Sequence, residues 1–112
     1  MFALALIAAA TAAPFALTAP ARSTATIVTV SGKEFLFILS RKSGPHGAFV
    51  FKFKNVGKLP HDFKIAGRKT PLVQPGRSAT LTVRIMRKGR YPYLCTVPGH
   101  AAAGMKGVFI VR

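Results

Sequence analysis

Acid is almost missing from this chain. Of 112 residues only Glu34 and Asp62 are carboxylates, against seventeen Lys and Arg, giving a formal net charge of +15. So little acid excludes an acidic docking patch. The field repels other copies, which favours a monomer, and attracts anionic surfaces: acidic proteins, the lipids or wall polymers of a cell envelope, or nucleic acid. Cysteine is reduced to Cys95 alone, which excludes a disulfide within the chain and, with no second cysteine, lipid attachment at a leader cleavage site. Histidine is limited to His46, His61 and His100. There is no Trp, but there are nine Phe, and half of all residues are hydrophobic. That is enough for one modest core in one domain. Repeats and linkers are absent.

Charge is also missing locally. Met1 to about Ala21 is apolar and Ala-rich, carries no charged side chain, and ends in Ala19-Pro20-Ala21 ahead of Arg22. This reads as a secretory signal peptide with an Ala-x-Ala cleavage site, although no Lys or Arg precedes the apolar run. The alternative is an uncleaved anchor helix, since about 18 apolar residues just span a bilayer; Thr11, Pro14 and Thr18 interrupt the run. Residues 1–21 are thus assigned to the leader and 22–112 to the folded domain. Export to a periplasmic or extracellular location makes a lone thiol conspicuous, because exported proteins usually pair their cysteines.

After the leader, the chain reads as short strands punctuated by Gly and Pro. Thr26–Val30 and Glu34–Leu39 are the first two, with Arg41–Gly47 as a polar turn. In Phe49–Lys54 the alternation is strict, with Phe49, Phe51 and Phe53 on one face and Lys52 and Lys54 on the other. His61–Ile65 is a further strand, and Gln74–Arg77 a Pro-Gly turn. Ala79, Leu81, Val83 and Ile85 point inward from the next strand; Arg90–Cys95 and Gly107–Val111 complete the set. Pro92 is awkward within a paired strand, and requires either an unpaired edge or a bulge. Seven or eight such strands predict an all-β, antiparallel Greek-key sandwich or barrel.

The chemistry gathers near the end, where Cys95, His100 and Met105 are spaced Cys-x4-His-x4-Met. A thiolate, an imidazole and a thioether on one loop, joined by a second imidazole, form the donor set of a blue-copper centre. His61, in Leu59-Pro60-His61-Asp62, is the source of that imidazole. Soft sulfur suits cuprous ion and nitrogen suits cupric ion, so little rearrangement accompanies electron transfer. Pro98-Gly99 turns the loop ahead of His100, and Gly104 precedes Met105. Asp62 is placed to hydrogen-bond the backbone near Thr96 and lock the two halves together. The plainer alternative for Cys95 is a small buried apolar residue, which leaves both histidines and the methionine unexplained. His46 reads as a solvated turn residue, and Met86 is given no role.

These motifs resemble the cupredoxins, the plastocyanin/azurin group of small blue-copper proteins. The resemblance runs from about Ile27 to Arg112 and includes the Gly-x-Tyr-x-Tyr-x-Cys approach from Gly89 to Cys95. It implies an eight-stranded Greek-key barrel or sandwich, one copper ion held by His61, Cys95, His100 and Met105, and a one-electron carrier role. One departure stands out. In plastocyanins an aromatic residue precedes the cysteine and faces an acidic docking patch; here the residue is Leu94, so neither that side route nor that partner type carries over. The remaining route is through His100, whose outer ring edge in the family reaches the surface within an apolar collar. Candidates for the collar are Leu59, Pro60, Pro98, Gly99 and Ala101–Ala103, although small alanines also simply let a loop close.

Three functional classes compete. An electron shuttle would accept and pass on one electron without transforming a small-molecule substrate, docking on acidic redox partners or an anionic envelope surface. A copper-binding or copper-delivery protein would use the same ligands. An enzyme needs further copper and more histidines, usually between domains, so no enzymatic activity is expected. A paired-cysteine dinuclear copper site is excluded by the single cysteine. Export, together with the lack of exposed aromatics interleaved with the basic residues, argues against nucleic acid.

Overall fold

The computed structural model describes residues 24–112, together with Ala3, Ala5 and Ala9. Apart from those three alanines, the leader assigned to residues 1–21 lies outside the described residues. The elements are β1 (Thr26–Lys33), β2 (Leu36–Leu39), β3 (Ser43–Gly44), β4 (Gly47–Asn55), β5 (Lys64–Ile65), β6 (Arg68–Lys69), β7 (Ser78–Ile85), β8 (Gly89–Leu94) and β9 (Lys106–Val111). Two sheets face one another, in the orders β2-β1-β4-β7 and β3-β9-β8-β5-β6.

Alternation fills the space between them. Phe49, Phe51 and Phe53 are wholly buried on β4, and Leu81, Val83 and Ile85 are buried beside them on β7. Ile65, Tyr93, Phe109 and Val111 enter from the second sheet. Each fully buried Phe contributes about 1.5–3 kcal/mol. The rings meet edge to face, Phe49 with Phe109 at 5.5 Å and 88°, Phe37 with Phe63 at 5.3 Å and 87°. This geometry favours the positive ring edge against a negative face.

Several expectations need correction. The sheets are mixed rather than antiparallel, because β1 runs parallel to β4 and β3 parallel to β9. Among the described residues there are nine strands where seven or eight were expected, because three are two-residue pieces. One of these, Ser43–Gly44, lies inside the segment read as a turn. The strand expected at His61–Ile65 shrinks to Lys64–Ile65, while His61 makes an isolated bridge to Val73. His46 is exposed, as expected, with Nδ1 3.1 Å from the Arg112 carbonyl. Pro92 turns out to face an edge. Cys95 N–H donates towards β9, so alternate residues Tyr93 and Tyr91 do the same and Pro92 N points away. On that side β5 reaches only Tyr93 and Leu94, and no ladder bond is lost.

Candidate metal centre

Each donor residue sits where backbone bonds hold it. Cys95 follows the last residue of β8, and its N–H donates to the Met105 carbonyl at 3.1 Å, tying the root of the loop. Within the loop, His100 N–H closes a turn on the Val97 carbonyl at 3.1 Å, with Pro98 and Gly99 at its centre. Gly99 has φ +84°, the left-handed conformation a type II turn requires at that position. The N–H groups of Ala103 and Met105 both reach the His100 carbonyl at 3.1 Å, so the loop is bonded to itself. Opposite, His61 exchanges two backbone bonds with Val73, at 3.1 and 2.8 Å. Buried Asn55 braces the approach: its Nδ2 donates to the Leu59 and Val73 carbonyls, each at 2.8 Å, and its Oδ1 accepts from Gly57 N–H at 2.9 Å.

Three of the four predicted residues converge through their donor atoms. Those of His61, Cys95 and His100 lie within 4.8 Å of one another. The two Nδ1 atoms are 3.0 Å apart, and Cys95 Sγ is 3.9 Å from that of His61 and 3.6 Å from that of His100. Metal bonds of about 2.0 Å to nitrogen and 2.3 Å to sulfur span donor separations of about 3–4 Å. The triangle therefore fits one first-row ion, and two imidazoles with a thiolate suit copper. The fourth residue, Met105, is wholly buried and packs with its methyl end under β1. A side chain started at Gly32 would come within 3.2 Å of Met105 Cε and 2.6 Å of the Phe53 ring. Only glycine leaves that room.

The surroundings prepare the donors. Glu34 Oε1 lies 3.1 Å from His61 Nε2. A carboxylate only accepts, so Nε2 carries the proton and the Nδ1 lone pair faces the other donors. The same oxygen accepts from the backbone N–H of Leu59 at 2.7 Å and Lys58 at 2.8 Å. These bonds, Leu59 foremost, hold the Glu34 carboxyl at a pKa of about 2. Burial pushes the Cys95 thiol up from its ordinary range, so a bound cation has to exchange for its proton. Asp62 does what its position suggested, accepting from Thr96 N–H at 2.6 Å and from the Thr96 hydroxyl.

His100 is 9% exposed. Phe35 packs edge-on against its ring, centroids 5.0 Å apart, and is itself 37% exposed. The collar candidates around the loop are all exposed or half-buried. Sequence reasoning missed Glu34, Phe35 and Asn55. For Glu34 the only available signal was rarity, one of two acids in so basic a chain.

Comparison with known proteins agrees. The chain matches the family model for copper binding proteins of the plastocyanin/azurin family over residues 21–112. It is 42% identical over 52 residues to Auracyanin-B of Chloroflexus aurantiacus, covering 46% of this chain and 22% of that protein. Over 41 residues it is 44% identical to the copper-resistant cuproprotein CopI of Pseudomonas aeruginosa, covering 37% of this chain and 23% of that one. The matched stretches thus span under a quarter of the length of these curated relatives. The structure of reduced auracyanin from Roseiflexus castenholzii superposes with a TM-score of 0.66 at 25% identity, covering 80% of this chain and 98% of that one. A multicopper oxidase shares the fold alone, with a TM-score of 0.59 at 22% identity over 77% of this chain and 41% of its own. With two imidazoles and a cysteine sulfur converging beside a buried methionine, this chain belongs to the plastocyanin/azurin family of copper-binding proteins, the cupredoxins.

Proposed function

We propose that this blue-copper protein is a one-electron carrier working outside the cytoplasm. A single ion would be held by His61 Nδ1, the Cys95 thiolate, His100 Nδ1 and the Met105 thioether. The observation that carries this reading is the buried donor triangle, fixed by backbone bonds on both sides. Copper, when bound, supplies one-electron cycling between its cuprous and cupric forms. The chain's part is to keep the donors still. Asp62 ties Thr96, beside Cys95, to the segment carrying His61; Glu34 sets the His61 tautomer; burial excludes water. The residual 9% exposure of His100 supports an outlet at the surface. The unmatched cations support acidic docking partners or an anionic envelope surface, with association that weakens as salt rises.

A second reading is copper delivery, and the likeness to a copper-resistant cuproprotein speaks for it. One experiment addresses both. Cupric ion is titrated into the purified protein and its Cys95→Ser variant, with visible spectra and voltammetry. The expected outcome is strong thiolate-to-copper absorption, lost in the variant, and reversible one-electron cycling with copper retained. Loss of the metal on reduction would favour delivery, and no visible band would defeat both.

A further inference from the structure

Resting on the shuttle reading, we propose that the outer face of the second sheet, centred on Leu94, docks the acidic surface of a one-electron partner protein. Strand register carries the argument. Lys69 stands opposite Lys64, Lys64 opposite Leu94, and Leu94 opposite Lys106, in one row across β6, β5, β8 and β9. Ile65 and Tyr93 are buried between the sheets, so their neighbours Lys64 and Leu94 point outward. All three lysines are exposed and Leu94 is half-buried. The next row outward on β8 and β9 pairs Pro92 with Val108, both exposed. The face thus has an apolar centre with a cationic edge, the composition of a protein-binding surface.

Two further observations set this face apart. Like charges directly opposite on neighbouring strands are destabilising, and Lys64 and Lys69 are such a pair with no acid to relieve them. Glu34 is bound to Lys58, Leu59 and His61, and Asp62 to Thr96. The row also abuts the metal centre along the chain: Leu94 directly precedes Cys95 and Lys106 directly follows Met105. An acidic partner seated there comes within one residue of the thiolate sulfur. In the reducing direction the partner's donor centre loses one electron and the copper site gains it, with no proton transferred and no covalent bond made or broken. Proximity to the thiolate favours a protein occupant over a lipid surface, which has no use for that position. This revises the expectation drawn from the missing aromatic at Leu94: the row of lysines, rather than a ring, makes the side approach a docking position, its partner is acidic, and the apolar collar at His100 becomes a second outlet.

The test uses copper-loaded protein and hexacyanoferrate(II) as an anionic one-electron donor, with an oligoglutamate peptide as competitor. Wild type is compared with Lys64→Glu/Lys106→Glu and with Lys52→Glu/Lys54→Glu, which changes net charge equally on the other sheet. The first pair should slow reduction about tenfold and flatten its salt dependence, and oligoglutamate should no longer protect. The second pair should stay within about twofold of wild type. Unchanged visible spectra establish that both variants hold copper normally. Lys69→Glu, outside the ligand loop, gives the same reading should the first pair fold poorly. Equal slowing by both pairs, or no slowing by either, overturns the proposal. So does binding to phosphatidylglycerol vesicles that is lost in the first pair while reduction is unaffected. Failure of the shuttle reading is separate, since it appears as irreversible cycling in the wild type.

Discussion

At Glu34 a single carboxylate oxygen meets two backbone N–H groups and the Nε2 of His61. Its negative charge, carried through the imidazole, favours the more positive oxidation state of an ion at Nδ1. Glu34→Gln is therefore expected to raise the reduction potential, measured by voltammetry; an unchanged or lower potential would remove Glu34 from the electronics of the site. The same group predicts an acid response. Its folded pKa of about 2 lies below the ordinary 4.5, so its stabilisation is complete above 4.5 and is lost as pH falls towards 2. In denaturant unfolding of copper-free protein, the gap between wild type and Glu34→Gln should close across that window. The cluster of His61, Cys95 and His100 was legible because Cys95 and His100 share a local motif and His61 sits beside Asp62, whose partner is Thr96. Glu34 was not, because its backbone partners lie 24 and 25 residues further on and no periodicity links them.

Among the elements, legibility followed length. Phe49–Lys54 alternates over enough residues to fix both its strand character and its buried face, and the same holds for Ala79–Ile85. Ser43–Gly44, Lys64–Ile65 and Arg68–Lys69 are too short to display a period. The parallel pairing of β1 with β4 is a property of the sheet order that neither strand carries alone. Gly32 shows what such hidden packing demands. It sits on β1 beneath Met105 and against Phe53, where no local pattern marks it. Gly32→Ala should cost about 1–3 kcal/mol of stability through overpacking, measured by urea unfolding of the copper-free protein. Because Met105 is one of the residues displaced, the copper-loaded variant should also change its visible spectrum. Ser31→Ala, at the neighbouring half-buried position, should stay within about 0.5 kcal/mol. Equal stability of the two variants would mean that Phe53 and Met105 yield freely.

For the molecule as a whole, the decisive quantity is charge, readable from composition without any structure. The fold adds where the acids went. Both carboxylates serve the metal end, and the one ion-pair contact among the described residues joins Glu34 to His61. No Lys or Arg there is neutralised by a carboxylate, so the folded state compresses a net charge of +15 with almost no internal compensation. In most proteins added salt has mixed effects, since it screens attractive pairs as well as repulsive ones. Here almost only repulsion remains to be screened. The copper-free protein is the proper subject, because bound metal would add its own linkage to stability. As sodium chloride rises from about 0.01 M to about 1 M, the Debye length shrinks from about 30 Å to about 3 Å. Tm should climb steadily across this range and flatten towards its end, once screening is shorter than the spacing between neighbouring lysines. A variant that removes two cations from the first sheet, Lys52→Gln/Lys54→Gln, should start at a higher Tm and climb less. A Tm that falls with salt would mean that attractive interactions outweigh the repulsion, and that the surface cations are compensated after all.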